Sequence, residues 1–291
     1  MEKNYVVMTD SSADLNPALE QELGVDIIPL SVNCGDRTFL DYPDEREIKT
    51  SEFYGMLRSG ANAKTAAANV ETFLTAMSRH LEQGKDVLYL GFSSGLSSTY
   101  SASEIAAQEL RERYPERKVL TVDTLCASMG QGLLVWLTVQ ELKHGATLEE
   151  AAKFAEDNRL HLCHWFTVDD LFFLKRGGRV SAATALVGSA LGIKPVLHVD
   201  NEGHLINVSK ARGRKNSILA LADRMERSAI EPEKQTVFIS HGDCLADAEF
   251  LAQEVRRRLH VPRIEINYVG PVIGAHSGPG TLALFFLGTE R

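Results

Sequence analysis

An α/β fold in two domains is what the sequence predicts, on three observations. Short apolar runs of strand character alternate with longer helical stretches, the pattern of α/β layers. The chain has 291 residues, 44% of them hydrophobic and 24% charged. That is ordinary globular composition, with length for about two domains of ~100–200 residues each. Near residue 165 the pattern changes. A hairpin joins the crossovers there, so the second sheet is expected to be mixed. The expected domains are residues 1–165 and 166–291.

Each element has its own warrant. "YVVMTD" is an apolar run ending in polar residues, a first strand. "SSAD" is expected to open a helix, with Ser11 and Asp14 at capping-box spacing. "DIIPLSVNCGDRTFLD" reads as strand, turn and strand, turning at Gly35-Asp36. In "NVETFLTAMSRHLEQG", Val70, Phe73, Leu74, Met77 and Leu81 recur at helical spacing; Asn69 can cap the helix and Gly84 stops it. "DVLYLGFS" is a buried strand, "STYSASEIAAQELRERY" the helix after it, and "KVLTVDT" the next strand. The helices "ASMGQGLLVWLTVQELKHG" and "TLEEAAKFAEDNRLHL" complete the first domain. In the second, "SAATALVGSALG" is expected to be a helix rich in small residues. "IKPVLHVDNEGHLINVSKAR" is a hairpin turning at Asn201-Glu202-Gly203. A long helix, the strand "TVFISH", the helix "DAEFLAQEVRRRLH" and the strand "RIEINYV" follow. A glycine- and proline-rich loop, "GPVIGAHSGPG", then leads into the last strand, "TLALFFLG".

Composition excludes several classes. A net charge of -8 argues against a nucleic-acid binder. The opening residues lack the long apolar core and small-residue cleavage site of a signal peptide. No apolar run reaches the ~18 residues of a membrane span. Cys34, Cys126, Cys163 and Cys244 lie far apart with no C-x-x-C pair. They read as reduced thiols of a cytoplasmic protein, not as a zinc site or a disulfide frame. No metal and no cofactor is expected.

Polar residues gather where strands end: Thr9 to Ser12, then Ser93, Ser94, Ser97 and Ser98, then Asp123 and Thr124. In parallel α/β sheets this is where ligands bind. Helix capping is the ordinary reading of such serines and fits Ser11 and Ser97 best. It fits Ser93 and Ser94 less well, because they lie between the strand and the cap. "GFSSG" also matches the nucleophile elbow G-x-S-x-G. A serine hydrolase with Ser93 as nucleophile and His241 or His276 as base is therefore a competing reading, although no H-G-G-G oxyanion motif accompanies it. "LKRGGR" places Lys175, Arg176 and Arg179 around two glycines, either as a cation-stabilised helix end or with Arg179 facing an anion. "KARGRK" holds Arg212 and Arg214, an ordinary solvated face or a docking patch for an acidic partner. A lone histidine such as His276 is usually a satisfied core group, but the fixed G-x-H-x-G-P-G context favours a ligand-facing role.

Taken together, "TDSSADL", "SSGLSSTY", "DTLCASMGQGLLV" with "FFLKRGGRVS", and "GPVIGAHSGPGTLALFF" resemble the DegV family of bacterial fatty-acid-binding proteins, in that family's order and across nearly the whole chain. The resemblance implies a DegV-like architecture: an N-terminal three-layer α/β/α domain with a parallel sheet, holding the acyl chain, and a C-terminal α/β domain with a mixed sheet, closing over the carboxyl head group. It implies a carrier without catalysis of its own. The carrier would present a long-chain fatty acid to the ATP-binding subunit of fatty acid kinase for acyl-phosphate formation, on the way to phospholipid synthesis. An acyltransferase and a transient membrane surface are implied as further partners. Carried over residue by residue, the carboxylate-binding positions are Thr65, Ser93 or Ser94, Arg179 and His276. Two departures touch the head-group region. Ala66-Ala67-Ala68-Asn69 stands where the family has serine, glutamine and proline after the threonine, and Ser98 replaces a common glycine.

The chemistry of a fatty acid suits these residue types. Its tail gains ~0.8 kcal/mol per buried methylene, on the order of 10 kcal/mol gross for sixteen carbons. Lost ligand freedom offsets part of that. Its carboxylate must not be buried unpaired. Hydroxyl and imidazole donors satisfy it while leaving an oxygen reachable by a kinase. The helices 70–81 and 181–192 are the candidate walls for the tail.

Overall fold

The computed structural model describes residues 4–181 and 192–291. Strands β1 (Tyr5–Asp10), β2 (Asp26–Ile28), β6 (Asp86–Gly91) and β7 (Val119–Asp123) form a four-stranded sheet in the order β2-β1-β6-β7. Every pairing in it is parallel. Successive residues of these strands face opposite layers, as the two-residue period of a strand requires. On β6, Leu88 and Leu90 face helices α1 (Pro17–Leu23), α5 (Met129–Lys143) and α6 (Leu148–Asn158). Val87 and Tyr89 face α3 (Val70–Leu81) and α4 (Thr99–Arg113). This is the expected three-layer arrangement. Helix α3 starts where expected and ends at Leu81, a little before Gly84, and the Asn69 side chain accepts from Thr72 N at 2.9 Å.

The second, mixed sheet contains β8 (Leu162–Thr167), β9 (Ile193–Val199), β10 (Leu205–Arg212), β11 (Thr236–His241), β12 (Arg263–Tyr268) and β13 (Leu282–Leu287). Its order is β10-β9-β8-β13-β11-β12, with only β11 and β12 parallel. Strand β8 belongs wholly to this sheet and runs across the 165/166 line. One face, with Cys163, Trp165, Leu282, Leu284 and Phe286, packs on α8 (Arg214–Ser228) and α9 (Leu245–Leu259). The other, with Phe166, Ala283 and Phe285, meets α5.

Helix α5 therefore lies between the two sheets, buried without interruption from Met129 to Val135. A helix apolar on all sides suits that place. Its glycines allow the close approach. A Cβ at Gly130 would collide with His164 Nε2, and one at Gly132 would lie 2.6 Å from Ala13 O.

A third sheet, β4-β3-β5, unites β3 (Ser31–Cys34), β4 (Arg37–Leu40) and β5 (Ala63–Ala66), all antiparallel. The β3–β4 hairpin turns at Gly35-Asp36 as expected; β5 has no apolar run to announce it. With α2 (Thr50–Arg58) and a short helix α10 (Pro271–Ser277), this sheet forms a fourth apolar cluster.

Two local expectations are corrected. "SSAD" forms a 3₁₀ turn, Ser11–Ala13, capped by Asp10; the helix starts only at Pro17, with Asn16 as its cap. "GPVIGAHSGPG" is not a loop throughout. Pro271 takes the first position of α10, where its missing N–H costs nothing, and His276 stands on that helix. Of the stretch 181–192, expected to be a helix, residues 182–191 lie outside the described residues. Among the described residues no helix is long and apolar enough to cross a membrane.

Candidate functional site

A cavity of about 170 Å³ opens where the carboxyl ends of β1 and β6 meet the inner face of the mixed sheet. Ser12 and Phe92 come from the two strand ends, and Leu96, Ser97 and Ser98 from the turn into α4. Thr65, Ala66 and Ala67 line it from β5 and its end. His164, Phe166, Ala283 and Phe285 project from β8 and β13, where the register pairs Ala283 with Phe166 and Phe285 with His164. Leu174 of α7 (Leu171–Arg176), Val199 and Leu205 extend the apolar wall.

Polar groups concentrate near α10. Thr65 Oγ1 and His276 Nε2 are 2.7 Å apart. Burial, with Arg179 and Arg176 nearby, lowers the pKa of His276 to about 4, so the ring is neutral at pH 7. In either tautomer this pair keeps one proton unspent, although the Nδ1 edge of the ring packs against Gly177. If Thr65 donates to Nε2, the Nδ1–H is unspent; if Nε2–H donates, the Thr65 hydroxyl proton is. Nδ1 is buried without a partner among the described residues, as are Ser12 Oγ and Ser277 Oγ of the same cavity. Buried polar atoms rarely go unpaired, so an orphan at a cavity wall marks a place for a ligand or water. Arg179 Nη2 donates to Leu96 O at 3.1 Å, and Nη1 to Gly177 O. Both of these acceptors are backbone carbonyls, not carboxylates. Burial lowers its pKa, because desolvation disfavours the charged form.

His164 is a different case. Its pKa is held well below the ordinary value by burial. Leu162 O lies 2.9 Å from Nδ1, and Ala127 N donates to Nε2 at 3.2 Å. The ring is the neutral Nδ1–H tautomer, fully used in joining α5 to the mixed sheet.

The structure brings Thr65, Arg179 and His276 together. It does not bring Ser93 or Ser94 to the cavity wall. Ser93 Oγ donates to Gly203 O at 2.9 Å and accepts from Gly95 N at 3.2 Å, clamping the β9–β10 turn onto the loop after β6. Ser94 is exposed, with its backbone N–H on Asp123 Oδ1. Ser97 and Ser98 line the cavity instead. The hydrolase reading lacks its essential contact, because no histidine bonds Ser93. His241 Nδ1 accepts from Cys244 N at 3.2 Å and its ring lies against Tyr268. Of the basic pair, Arg212 is exposed on β10, whereas Arg214 turns inward to Asp247 at 2.8 Å and Asp169 at 3.7 Å.

The sequence reading placed Ser12 in the polar cluster at the end of the first strand but missed Phe166 and Phe285 as lining residues. The alternation in "HLCHWFT" puts His164 and Phe166 on one face, but not which face holds the cavity.

Residues 4–289 match a family model described as "Uncharacterised protein, DegV family". A DegV domain-containing protein of Clostridium perfringens is 44% identical over 289 residues, covering 99% of each chain. Among solved structures, a DegV lipid-binding protein of Thermotoga maritima has a TM-score of 0.87 at 32% identity, covering 99% of each chain. A structure described as fatty acid binding of a DegV family protein from Thermus thermophilus has a TM-score of 0.86 at 32% identity, covering 98% of this chain and 99% of that one.

Proposed function

The chain belongs to the DegV family, and from that premise we propose that it is a carrier of long-chain fatty acids. The single observation that supports this best is the pairing of an apolar cavity with an unspent polar cluster at one wall: Thr65, His276 and Arg179. The tail would lie along Phe166, Ala283 and Phe285. The carboxylate would take the spare proton of the Thr65–His276 pair, with Arg179 as its nearby cation and the hydroxyls of Ser97 and Ser98 within the same cavity. The related proteins from Thermotoga and Thermus, described as binding lipid and fatty acid, support the ligand class.

The finer reading is a cytoplasmic carrier that presents the carboxyl group to a kinase subunit and does no chemistry of its own. The partners of Ser93 favour it over a hydrolase. In this reading the mixed sheet of the second unit holds the tail, a role the sequence expectation gave to residues 1–165, and Arg212 is the exposed candidate for docking the kinase.

Native mass spectrometry of the purified protein, followed by addition of palmitate or oleate, tests the carrier reading. A bound long-chain acid is expected; an apo mass with no uptake would sink it. His276→Ala should weaken palmitate binding by ~1–3 kcal/mol, the usual cost of an unsatisfied buried polar group, with little change in melting temperature. A large drop in melting with normal lipid binding would make the histidine a core plug.

A further inference from the structure

We propose that Asp14 and Asp41 are positioning residues that hold helix α10 so that His276 faces Thr65 across the cavity; this rests on the carrier reading for its consequence, not for its geometry. Asp14 Oδ1 accepts from Gly270 N, the residue that caps α10, at 3.0 Å. Asp41 Oδ2 accepts from Val272 N, one turn position further in, at 3.2 Å. Pro271 between them has no N–H to satisfy. Two carboxyl groups distant in sequence thus take the leading donors of a seven-residue helix that has no cap of its own.

Both acids are buried, at 5% and 7% exposure. Each is tied to other segments. Asp14 Oδ2 accepts from Ser128 Oγ, which lies 3.0 Å from Ser240 Oγ, and both of these serines line the cavity. The Asp14 carbonyl accepts from Asn267 Nδ2 at 2.8 Å, and Asp41 N donates to Leu30 O at 2.9 Å. Asp14 itself sits at φ 51°, a left-handed conformation retained where the surroundings over-determine it. Gly270 leaves room for the pair: a Cβ there would lie 2.8 Å from Asp14 Oδ1 and 3.3 Å from Asp41 Oδ2. At the body of α10, Val272 and Ala275 pack on α2, whose Tyr54 OH donates to Val269 O at 2.7 Å. Packing sets the height of the helix, and the two acids set its axial position. His276 lies near its far end, so a small axial slip moves the ring off Thr65.

The test is a cycle on the full chain with palmitate as probe. Asp41→Ala is expected to weaken palmitate binding about tenfold when His276 is present, and less than twofold in a His276→Ala background, because the two act as one unit. In the ligand-free protein the His276 ring signals in a nitrogen-15 NMR spectrum should move in Asp41→Ala and stay in place in Asp41→Asn, which keeps an acceptor. Gly270→Ala, compatible with φ -65°, should reproduce the shift from the helix side, and it serves if Asp41→Ala fails to fold. Equal affinity losses in both backgrounds, or His276 signals unmoved by Asp41→Ala and Gly270→Ala, would overturn the proposal. A parent protein that binds no palmitate defeats the carrier reading, and the ring signals alone then decide the positioning claim.

Discussion

Ala283→Trp should abolish uptake of long-chain fatty acid, lowering palmitate affinity more than 100-fold, while the protein stays folded. Ala283 is buried at 5% exposure on β13, and its side of the strand faces the cavity. Leu282 and Leu284, its neighbours in sequence, pack on the opposite face against α8 and α9. An indole at 283 would therefore enter the space between Phe166 and Phe285, where several methylenes of the tail would lie. Each excluded methylene forfeits ~0.8 kcal/mol, so losing five or six removes on the order of 4 kcal/mol. Overpacking a filled core costs ~1–3 kcal/mol, but here the added atoms enter empty volume. Palmitate titration and a thermal melt decide the matter. Parent-like affinity in a folded Ala283→Trp protein would show that the tail lies elsewhere.

Asp41→Asn should stabilise the protein increasingly as pH rises from 5 to 8, by roughly 3 kcal/mol across that window. Burial raises the pKa of Asp41 to about 7, with Glu45 adding to the effect and the bonds from Val272 N and Ser11 opposing it. A carboxyl whose folded pKa is raised contributes stability that is fully present below its unfolded value near 4. That contribution is lost as pH rises through about 7. Asparagine does not titrate, so the loss disappears in the variant. Asp14 is shifted in the same direction by burial, with Asp41 and Asp10 adding to it. The parent curve alone is a poor readout. His198 and His276, both held down to about 4 by burial, act the other way, losing stability as pH falls below the ordinary histidine value. The difference between variant and parent removes that limb. Melting temperatures that differ by a constant across pH 5 to 8 would show that Asp41 does not titrate there.

These expectations rest on different kinds of information. Elements defined by contacts close in sequence were legible. Helix α3 carries its cap, its apolar stripe and its stop within sixteen residues, and the hairpins at Gly35-Asp36 and 201–203 carry their turn chemistry. The apolar run "DVLYLGFS" marked β6 as a buried strand. The family resemblance brought Thr65, Arg179 and His276 to notice as a group, and the fold places them on one cavity. What the sequence by itself determined is this local order, the α/β class and the residue types suited to a lipid. The tertiary structure alone decided the rest. In "GPVIGAHSGPG", which is helical from Pro271 to Ser277, the first donors go to Asp14 and Asp41, partners more than 200 residues away. Ser93, read as a site residue from its place after the strand and from the family resemblance, was taken instead by Gly203 O, 110 residues distant. Arg214, read as part of a surface patch, was drawn inward by Asp247 and Asp169. A hydroxyl or a guanidinium bonds whichever partner the packing brings within about 3 Å, and local sequence does not encode which distant atom that is.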